Sequence, residues 1–183
     1  WMKKVNLSEI DSVYFCGLEL EEPTGAEIVS FIEENLQLIK FFAPGPRIKN
    51  IPSELIERIF KTKPIIHLNK NEIFEFTGID SIEEAAQKLY TLTGNTVIVT
   101  LGKDGSYFIE NGIGYKVNGF PAQVVDTIGA GDSHIASIII AIKQGFPFER
   151  ALQRANLISS IVVSTRGSLI SQEQYDKATT SFI

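Results

Sequence analysis

The sequence predicts an α/β fold, a doubly wound and mostly parallel β-sheet with flanking helices. Short β-rich apolar runs alternate along the chain with longer stretches whose apolar residues recur at helical spacing. One run, Thr96 to Thr100, is almost wholly apolar and β-branched, as in a parallel strand covered on both faces. With 44% apolar and 21% charged residues, the chain can bury a core, and we expect one globular domain over residues 1–183.

The first elements form a predicted βαβ unit. A strand covers Val13 to Leu18, and turn residues Pro23-Thr24-Gly25 separate it from a helix. The apolar residues that define this helix by their spacing are Ile28, Phe31, Ile32, Leu36 and Ile39. A strand follows at Phe41-Phe42 and stops at the turn Ala43 to Pro46.

The alternation continues through the middle of the chain. The predicted elements are a helix near Ser53 to Phe60, a strand over Ile65 to Leu68 and a short helix from Glu72 to Thr77, ended by Gly78. Ser81 and Glu84 have the spacing of a capping box, so a further helix starts there and ends at Gly94.

The last part combines a hairpin with two helices. Strands near Ser106 to Ile109 and Tyr115 to Val117 are joined by the Asn111-Gly112 turn. A run of small residues, Val125 to Ser133, is expected to connect a strand to the first long helix. The two long helices span about Asp132 to Lys143, ended by Gly145, and about Phe148 to Ser164.

Charge and composition exclude several classes of function. A net charge of −5 argues against a nucleic-acid partner, which is bound mainly through clustered Lys and Arg. Cys16 is the single cysteine, so no intrachain disulfide forms, and with only His67 and His134 no zinc-ligand set can be assembled. The longest apolar stretch, Ile138 to Ile142, is far below the roughly 20 residues of a membrane span. We therefore expect a soluble, cytoplasmic protein.

The run of small residues predicts a phosphate site. Gly129, Ala130 and Gly131 leave backbone N–H groups uncovered at a helix N-terminus, which carries about half a positive charge. Asp132 follows, where the same donors favour its ionised carboxylate and allow it to accept a proton from a nearby hydroxyl. The alternative is that Asp132 is only an N-cap residue.

Together with Asp126, this run resembles the D-T-x-G-A-G-D signature of the ribokinase-like (phosphofructokinase B type) carbohydrate kinase family. The resemblance implies a ribokinase-like fold and ATP- and Mg²⁺-dependent phosphorylation of a primary hydroxyl. It makes Asp132 the catalytic base and Gly129, Ala130 and Gly131 the anion hole. The acceptor implied is a small-molecule sugar or nucleoside.

Three weaker motifs occur in the order that this resemblance requires. Asn69 and Glu72 resemble the N-x-x-E element, which organises Mg²⁺, through water, and the nucleotide phosphates; a polar helix start is the alternative. Asn156 resembles a residue bordering the adenine pocket, and a surface helix cap is its alternative. The run that resembles the T-L-G-x-x-G nucleotide loop is Thr100, Leu101, Gly102, Lys103, Asp104 and Gly105, with a simple tight turn as the alternative.

The resemblance also implies a monovalent cation site, for K⁺, near the anion hole. The matching positions are Asp126, the carbonyl of Ile128, Gly167 and Ser171. Asp126 can alternatively be a structural hydrogen-bond acceptor. His134 is interpreted as a packed or solvent-edge histidine and Cys16 as a small buried hydrophobe.

Only the later two-thirds of a family member are covered by the resemblance. We expect the N-terminal strands, the substrate-binding acid and the β-sheet lid to be missing, which leaves a sheet edge near Val13 exposed. The complete protein is expected to be a homodimer. A nucleotide-binding fragment or pseudokinase without turnover is the main alternative function, and a purely structural α/β module is a further one.

Overall fold

The structure is a computed structural model that describes residues 6–180 and 182. Contacts within the chain divide it into two compact units, and each is described by itself. The first unit comprises the residues up to Thr100 together with Phe108–Gly114. The second unit comprises Leu101–Tyr107 and the residues from Tyr115 onward.

A six-stranded sheet is formed in sequential strand order. Its strands are β1 (Ser12–Cys16), β2 (Ile39–Ala43), β3 (Ile65–Asn69), β4 (Val97–Thr100), β5 (Ser106–Glu110) and β6 (Ile113–Val117). Strands β1 to β4 pair in parallel, whereas β5 and β6 are antiparallel because only Asn111 and Gly112 separate them. The predicted fold class, α/β with a mostly parallel sheet, is confirmed.

Helices of the first unit connect successive parallel strands. They are α1 (Gly17–Glu21), α2 (Gly25–Glu34), α3 (Ser53–Lys61), α4 (Lys70–Thr77) and α5 (Ile82–Thr93). Val97, Ile98 and Val99 of β4 are 0% exposed, which confirms the predicted fully covered strand. The rings of Phe15 and Phe42 stack on the neighbouring strands β1 and β2, with centroids 5.0 Å apart. Burying such side chains contributes roughly 1.5–3 kcal/mol each.

The second unit is built on a helical hairpin. Its helices are α6 (Ala130–Lys143), α7 (Phe148–Val163) and α8 (Gln172–Thr180). α6 and α7 pack against each other, and alanines 141, 151 and 155 are 0% exposed, which lets the helices approach closely. Ala178 of α8 packs on Ile158 and Val162 of α7. In the part of the chain that the structure describes, no helix has the length and hydropathy to cross a bilayer.

Two boundaries in the first unit differ from the predictions. Leu18 belongs to α1, not to the first strand, because a helix begins directly at Gly17. Leu36 and Ile39 extend the helical spacing but do not lie in α2, which ends at Glu34 with Asn35 as its C-cap. Ile39 instead begins β2, where it pairs with Ser12 of β1. Strand pairing therefore overrides the local helical period at this point.

Three features of the second unit also differ. The strand expected before the motif is wrong: residues 118–128 are irregular, and the Val125 and Asp126 N–H groups both donate to the carbonyl of Val163. Helix α6 begins at Ala130, two residues before the predicted start, so Asp132 is not its N-cap. Helix α8 was not predicted at all, because only Ala178 is buried along it and its apolar pattern is weak.

Candidate functional site

The motif folds into the N-terminus of α6, with Gly129 as N-cap. Gly129 has a φ of +79°, and a Cβ placed there would lie 2.5 Å from the Cβ of Ser168. Both the left-handed backbone and the close approach therefore require glycine. A Cβ at Gly131 would meet no atom within 4 Å, so the space beside the first turn is open.

The N-terminal end of α6 is hydrogen-bonded to α7. The carbonyl of Ala130 accepts hydrogen bonds from the Ser133 hydroxyl at 3.0 Å and from the Ser159 hydroxyl of α7 at 3.1 Å. The N–H of Ala130 donates to the carbonyl of Thr127 at 3.3 Å. The N–H groups of Gly131 and Asp132 lie in the first turn, where a helix offers no backbone acceptor.

Asp132 is the third residue of α6 and its side chain is exposed. Its carboxylate is thus presented to solvent in the same first turn as the uncovered donors. An arrangement of this kind can hold an anionic group at the backbone and accept a proton from a hydroxyl beside it. The expectation that the Ala130 N–H is uncovered is wrong, because it donates to Thr127. The roles of Asp132 as base and of the glycine-rich turn as anion hole stay predictions.

Asp126 closes a loop by binding two backbone groups. Its Oδ1 accepts from the Ile128 N–H at 3.0 Å, and its Oδ2 accepts from the Gly167 N–H at 3.1 Å. These two hydrogen bonds hold the pKa of Asp126 below its usual range. The structure therefore brings Asp126, Ile128 and Gly167 together. In this geometry Asp126 acts as a structural hydrogen-bond acceptor, which is the alternative interpretation of this residue.

Ser171, the fourth predicted cation ligand, lies immediately before α8. Its hydroxyl accepts from the Gln174 N–H at 3.2 Å, and its own N–H donates to Oε1 of Gln174 at 2.9 Å. These reciprocal bonds form a capping box at the start of α8. A role of Ser171 in holding K⁺ stays a prediction.

Asn156 is the centre of a buried polar cluster in the second unit. It is 7% exposed, so it is not the surface cap of the alternative interpretation. Its Nδ2 group donates to Oγ of Ser106, and to the carbonyls of Val117 and Asn118, over 3.1–3.3 Å. Its Oδ1 lies 2.9 Å from Nε2 of His134. Its binding of the nucleotide stays a prediction.

His134 is 2% exposed and packed, as one of its two interpretations expected. Burial lowers its pKa to about 4, although the hydrogen bond with Asn156 acts in the opposite direction. The neutral ring therefore donates from Nε2 to the Asn156 amide oxygen. Sequence reasoning missed this pair, because 22 positions separate the two residues.

The predicted nucleotide loop forms a tight turn in the second unit. The Leu101 N–H donates to the Gly105 carbonyl at 2.8 Å, and the Gly105 N–H donates to the Gly102 carbonyl at 3.1 Å. A Cβ at Gly105 would lie 2.1 Å from the Val117 carbonyl oxygen, which explains this glycine. Gly102, Lys103 and Asp104 are exposed at the tip of the turn.

The first unit carries the other predicted nucleotide residues. Asn69 and Thr100 are register partners at the carboxyl ends of β3 and β4, the edge where ligands of parallel sheets bind. Oδ1 of Asn69 accepts from the Glu72 N–H at 2.9 Å, and Oε2 of Glu72 accepts from the Asn69 N–H at 2.8 Å. The pair thus forms the capping box of α4, as the polar-helix-start alternative expects.

Glu72 is half-buried, and desolvation is the main cause of its raised pKa. A nearby cation would offset that penalty, and the capping box occupies only the Oε2 atom. Within residues 6–180 and 182, no group of three or more His, Cys, Asp or Glu side chains could hold a metal ion. Any Mg²⁺ bound here must take most of its ligands from water and phosphate oxygens, which is usual for this ion.

The chain was compared with known proteins. Residues 2–174 match the family model described as "pfkB family carbohydrate kinase". The chain belongs to the pfkB family. An uncharacterized sugar kinase, YegV, of Escherichia coli (strain K12) is 32% identical over 171 residues, covering 91% of this chain and 53% of YegV. The predicted resemblance is confirmed.

Solved structures show the same fold. Aminoimidazole riboside kinase from Salmonella enterica, complexed with aminoimidazole riboside and an ATP analog, gives a TM-score of 0.79 at 22% identity. A putative ribokinase II from E. coli, in complex with ATP and Mg²⁺, gives 0.79 at 20% identity. The alignments cover 91% and 98% of this chain but 61% and 63% of those proteins. This pfkB chain therefore spans little more than half the length of the relatives it matches.

Proposed function

We propose that this pfkB chain is the ATP-binding and catalytic part of a kinase that phosphorylates a primary hydroxyl of a sugar or nucleoside. The proposal is carried by the first turn of α6, where an exposed carboxylate, Asp132, follows uncovered backbone donors. The solved relatives that hold ATP with Mg²⁺, or an ATP analog with a riboside, support the choice of substrates. A cytoplasmic location is part of the same proposal.

Asp132 accepts the proton of the acceptor hydroxyl while that oxygen attacks the γ-phosphorus of ATP. The bond from the γ-phosphorus to the β–γ bridging oxygen breaks, and ADP leaves with the electron pair. The N–H groups at Gly131 and Asp132, together with the dipole of α6, stabilise the negative charge on the transferring phosphoryl group. Gly129, with its left-handed φ of +79°, is the N-cap at which the helix starts.

Mg²⁺ would neutralise charge on the β- and γ-phosphates when bound. Glu72 would reach it through water, with Asn69 holding the Glu72 side chain in place through the capping box. Thr100, the Leu101–Gly105 turn and Asn156 would line the nucleotide. The K⁺ ligands Asp126, Ile128, Gly167 and Ser171 belong to the same proposal.

Asp132→Asn tests the assignment of the base. It is made in a polypeptide that joins this sequence to the part of its relatives that the alignment leaves uncovered. We expect unchanged ATP affinity by calorimetry and a loss of kcat of about 10²- to 10⁴-fold, because only proton acceptance is removed. An unchanged kcat would refute the role of Asp132. Nucleotide binding without phosphorylation of any sugar or nucleoside by the unsubstituted polypeptide would favour the pseudokinase alternative.

A further inference from the structure

A cavity of about 530 Å³ lies in the second unit, away from the motif. Its polar lining consists of Gln144, Arg150, Arg154, Tyr175 and Thr179, with two aromatic rings beside them. None of the lining residues belongs to the predicted nucleotide or catalytic residues. Gln144 caps the end of α6 opposite to Asp132, twelve positions further along the helix and about 18 Å away.

Arg154 is a buried cation at the wall of this cavity. It is 4% exposed, and its Nη1 donates to Oε1 of Gln144 at 2.6 Å. Its Nη2 donates to the Tyr175 hydroxyl, and the Tyr175 ring lies 5.6 Å from the guanidinium carbon. Among residues 6–180 and 182, its Nε is buried without a hydrogen-bond partner. The two side chains to which it donates, Gln144 and Tyr175, are neutral.

Two arginines of the first unit have acidic partners. Arg47 pairs with Glu21, and Arg58 pairs with Glu33, although both arginines are more exposed than Arg154. Among the described residues, the ion pairs all lie in the first unit, and none involves Arg154. A buried guanidinium without a counter-charge is costly, so an anion at this position would be strongly favoured.

Arg150 adds a second positive charge on the same face of α7, four residues earlier. It is exposed, lies over the rings of Phe146 and Phe182, and is in the first turn of the helix. Like charges at this spacing repel each other, although Glu149 in the same first turn offsets part of the positive potential. A single anion between the two arginines would relieve this repulsion.

We propose that this cavity is an anion site, which binds the phosphate or carboxylate group of a small metabolite. Arg154 binds the anion at the wall of the cavity, and Arg150 binds it at the rim. Gln144 and Tyr175 fix the guanidinium of Arg154, and Phe146 and Phe182 flank the rest of the ligand. The volume is within the roughly 300–1,000 Å³ of small-molecule sites. This site is independent of the proposed kinase function.

Titration of the chain with pyrophosphate and with citrate tests the site, with chloride at matched ionic strength as the blank. We expect saturable binding by calorimetry and a shift of the Arg154 side-chain ¹⁵N–¹H resonances. Arg150→Gln should weaken the binding about 10-fold or more, the effect of losing one charged hydrogen bond. Arg154→Gln should abolish it. The tighter probe identifies the anionic group.

Two controls make the outcome decisive. Lys177→Gln removes an exposed charge from α8 without touching the cavity lining, and should leave binding intact. Gly131→Val blocks the first turn of α6, so binding that survives it is not binding at the proposed phosphate cradle. Because Arg150 is exposed, its variant is informative even if Arg154→Gln does not fold. Absence of saturable binding, or binding lost with Gly131→Val but retained with Arg150→Gln, would overturn the proposal.

Discussion

Gly129 and Gly131 are the same residue type under different constraints. Gly129 has a left-handed backbone and no room for a Cβ beside Ser168, whereas Gly131 is helical and faces open space. We predict that Gly129→Ala destabilises the chain by at least about 1–2 kcal/mol, because alanine resists positive φ. Gly131→Ala should be neutral or stabilise by up to about 1 kcal/mol. Urea unfolding of both variants measures the difference, and equal effects would contradict the local geometry.

His134 predicts a pH dependence of stability. Its pKa is about 4 in the fold, against 6.5 for an ordinary histidine, because the neutral ring is buried. The unfolded chain therefore binds more protons between these values, so stability rises with pH across the window. The contribution of His134 to the free energy of unfolding is complete above pH 6.5. About 3 kcal/mol of this contribution is lost as the pH falls towards 4.

Chemical unfolding of the chain at several pH values between 4 and 7 measures this contribution. Carboxylates titrate in the lower part of the same window, so the matched variant is His134→Gln, which retains an amide donor for Asn156. We expect the difference in unfolding free energy between the two proteins to shrink as the pH falls. A difference that does not vary with pH would show that the fold does not lower the pKa of His134.

At the scale of an element, two residues at the start of α4 can have a structural role, as a helix cap, and a chemical role, in holding Mg²⁺. Asn69 and Glu72 form a reciprocal capping box, which stabilises the helix whether or not Mg²⁺ binds. We predict that Asn69→Ala lowers the unfolding free energy by about 1 kcal/mol. Glu72→Gln should keep most of the cap, because glutamine also serves at this position of the box.

The same two variants test the chemical role when the polypeptide extended to the length of its relatives is assayed. Glu72→Gln should raise the Mg²⁺ concentration needed for half-maximal activity, since a neutral amide attracts the hydrated ion less. If Mg²⁺ dependence is unchanged in Glu72→Gln while Asn69→Ala loses stability, the pair is only a helix cap.

At the scale of the whole molecule, the nucleotide-side motifs are present in a chain that spans 53% of the YegV sequence. We predict that the 183-residue chain alone binds Mg-ATP weakly, hydrolyses it slowly at most and phosphorylates no sugar. Positioning of the acceptor and exclusion of water supply most of phosphoryl-transfer catalysis, and both require a covered site. Nucleotide titration and a phosphorylation screen measure this. Sugar phosphorylation by the chain alone would contradict it.

The placement of β1 at the edge of the sheet agrees with the predicted exposed edge near Val13. Tyr14 on this strand is 42% exposed, and one side of the strand pairs with β2.

The sequence alone determined the fold class, most strands and helices, and the position of the glycine-rich turn before α6. Such features depend on residues within a few positions of one another: strand and helix periods, caps, and small residues where backbone donors must be open. The sequence also indicated the Asn69–Glu72 pair, although it left open whether the pair is a helix cap or part of the nucleotide and Mg²⁺ site.

Only the tertiary structure decided features that join distant residues. Strand pairing with Ser12 took Ile39 out of the predicted helix, and Ser168 determined why position 129 must be glycine. Asn156 is buried against Ser106, 50 positions away, and Arg154 meets Tyr175 across 21 positions. Local patterns specify which face of an element is apolar. The pairing of polar side chains is decided by how the elements pack, because it depends on distances between residues that are far apart in the sequence.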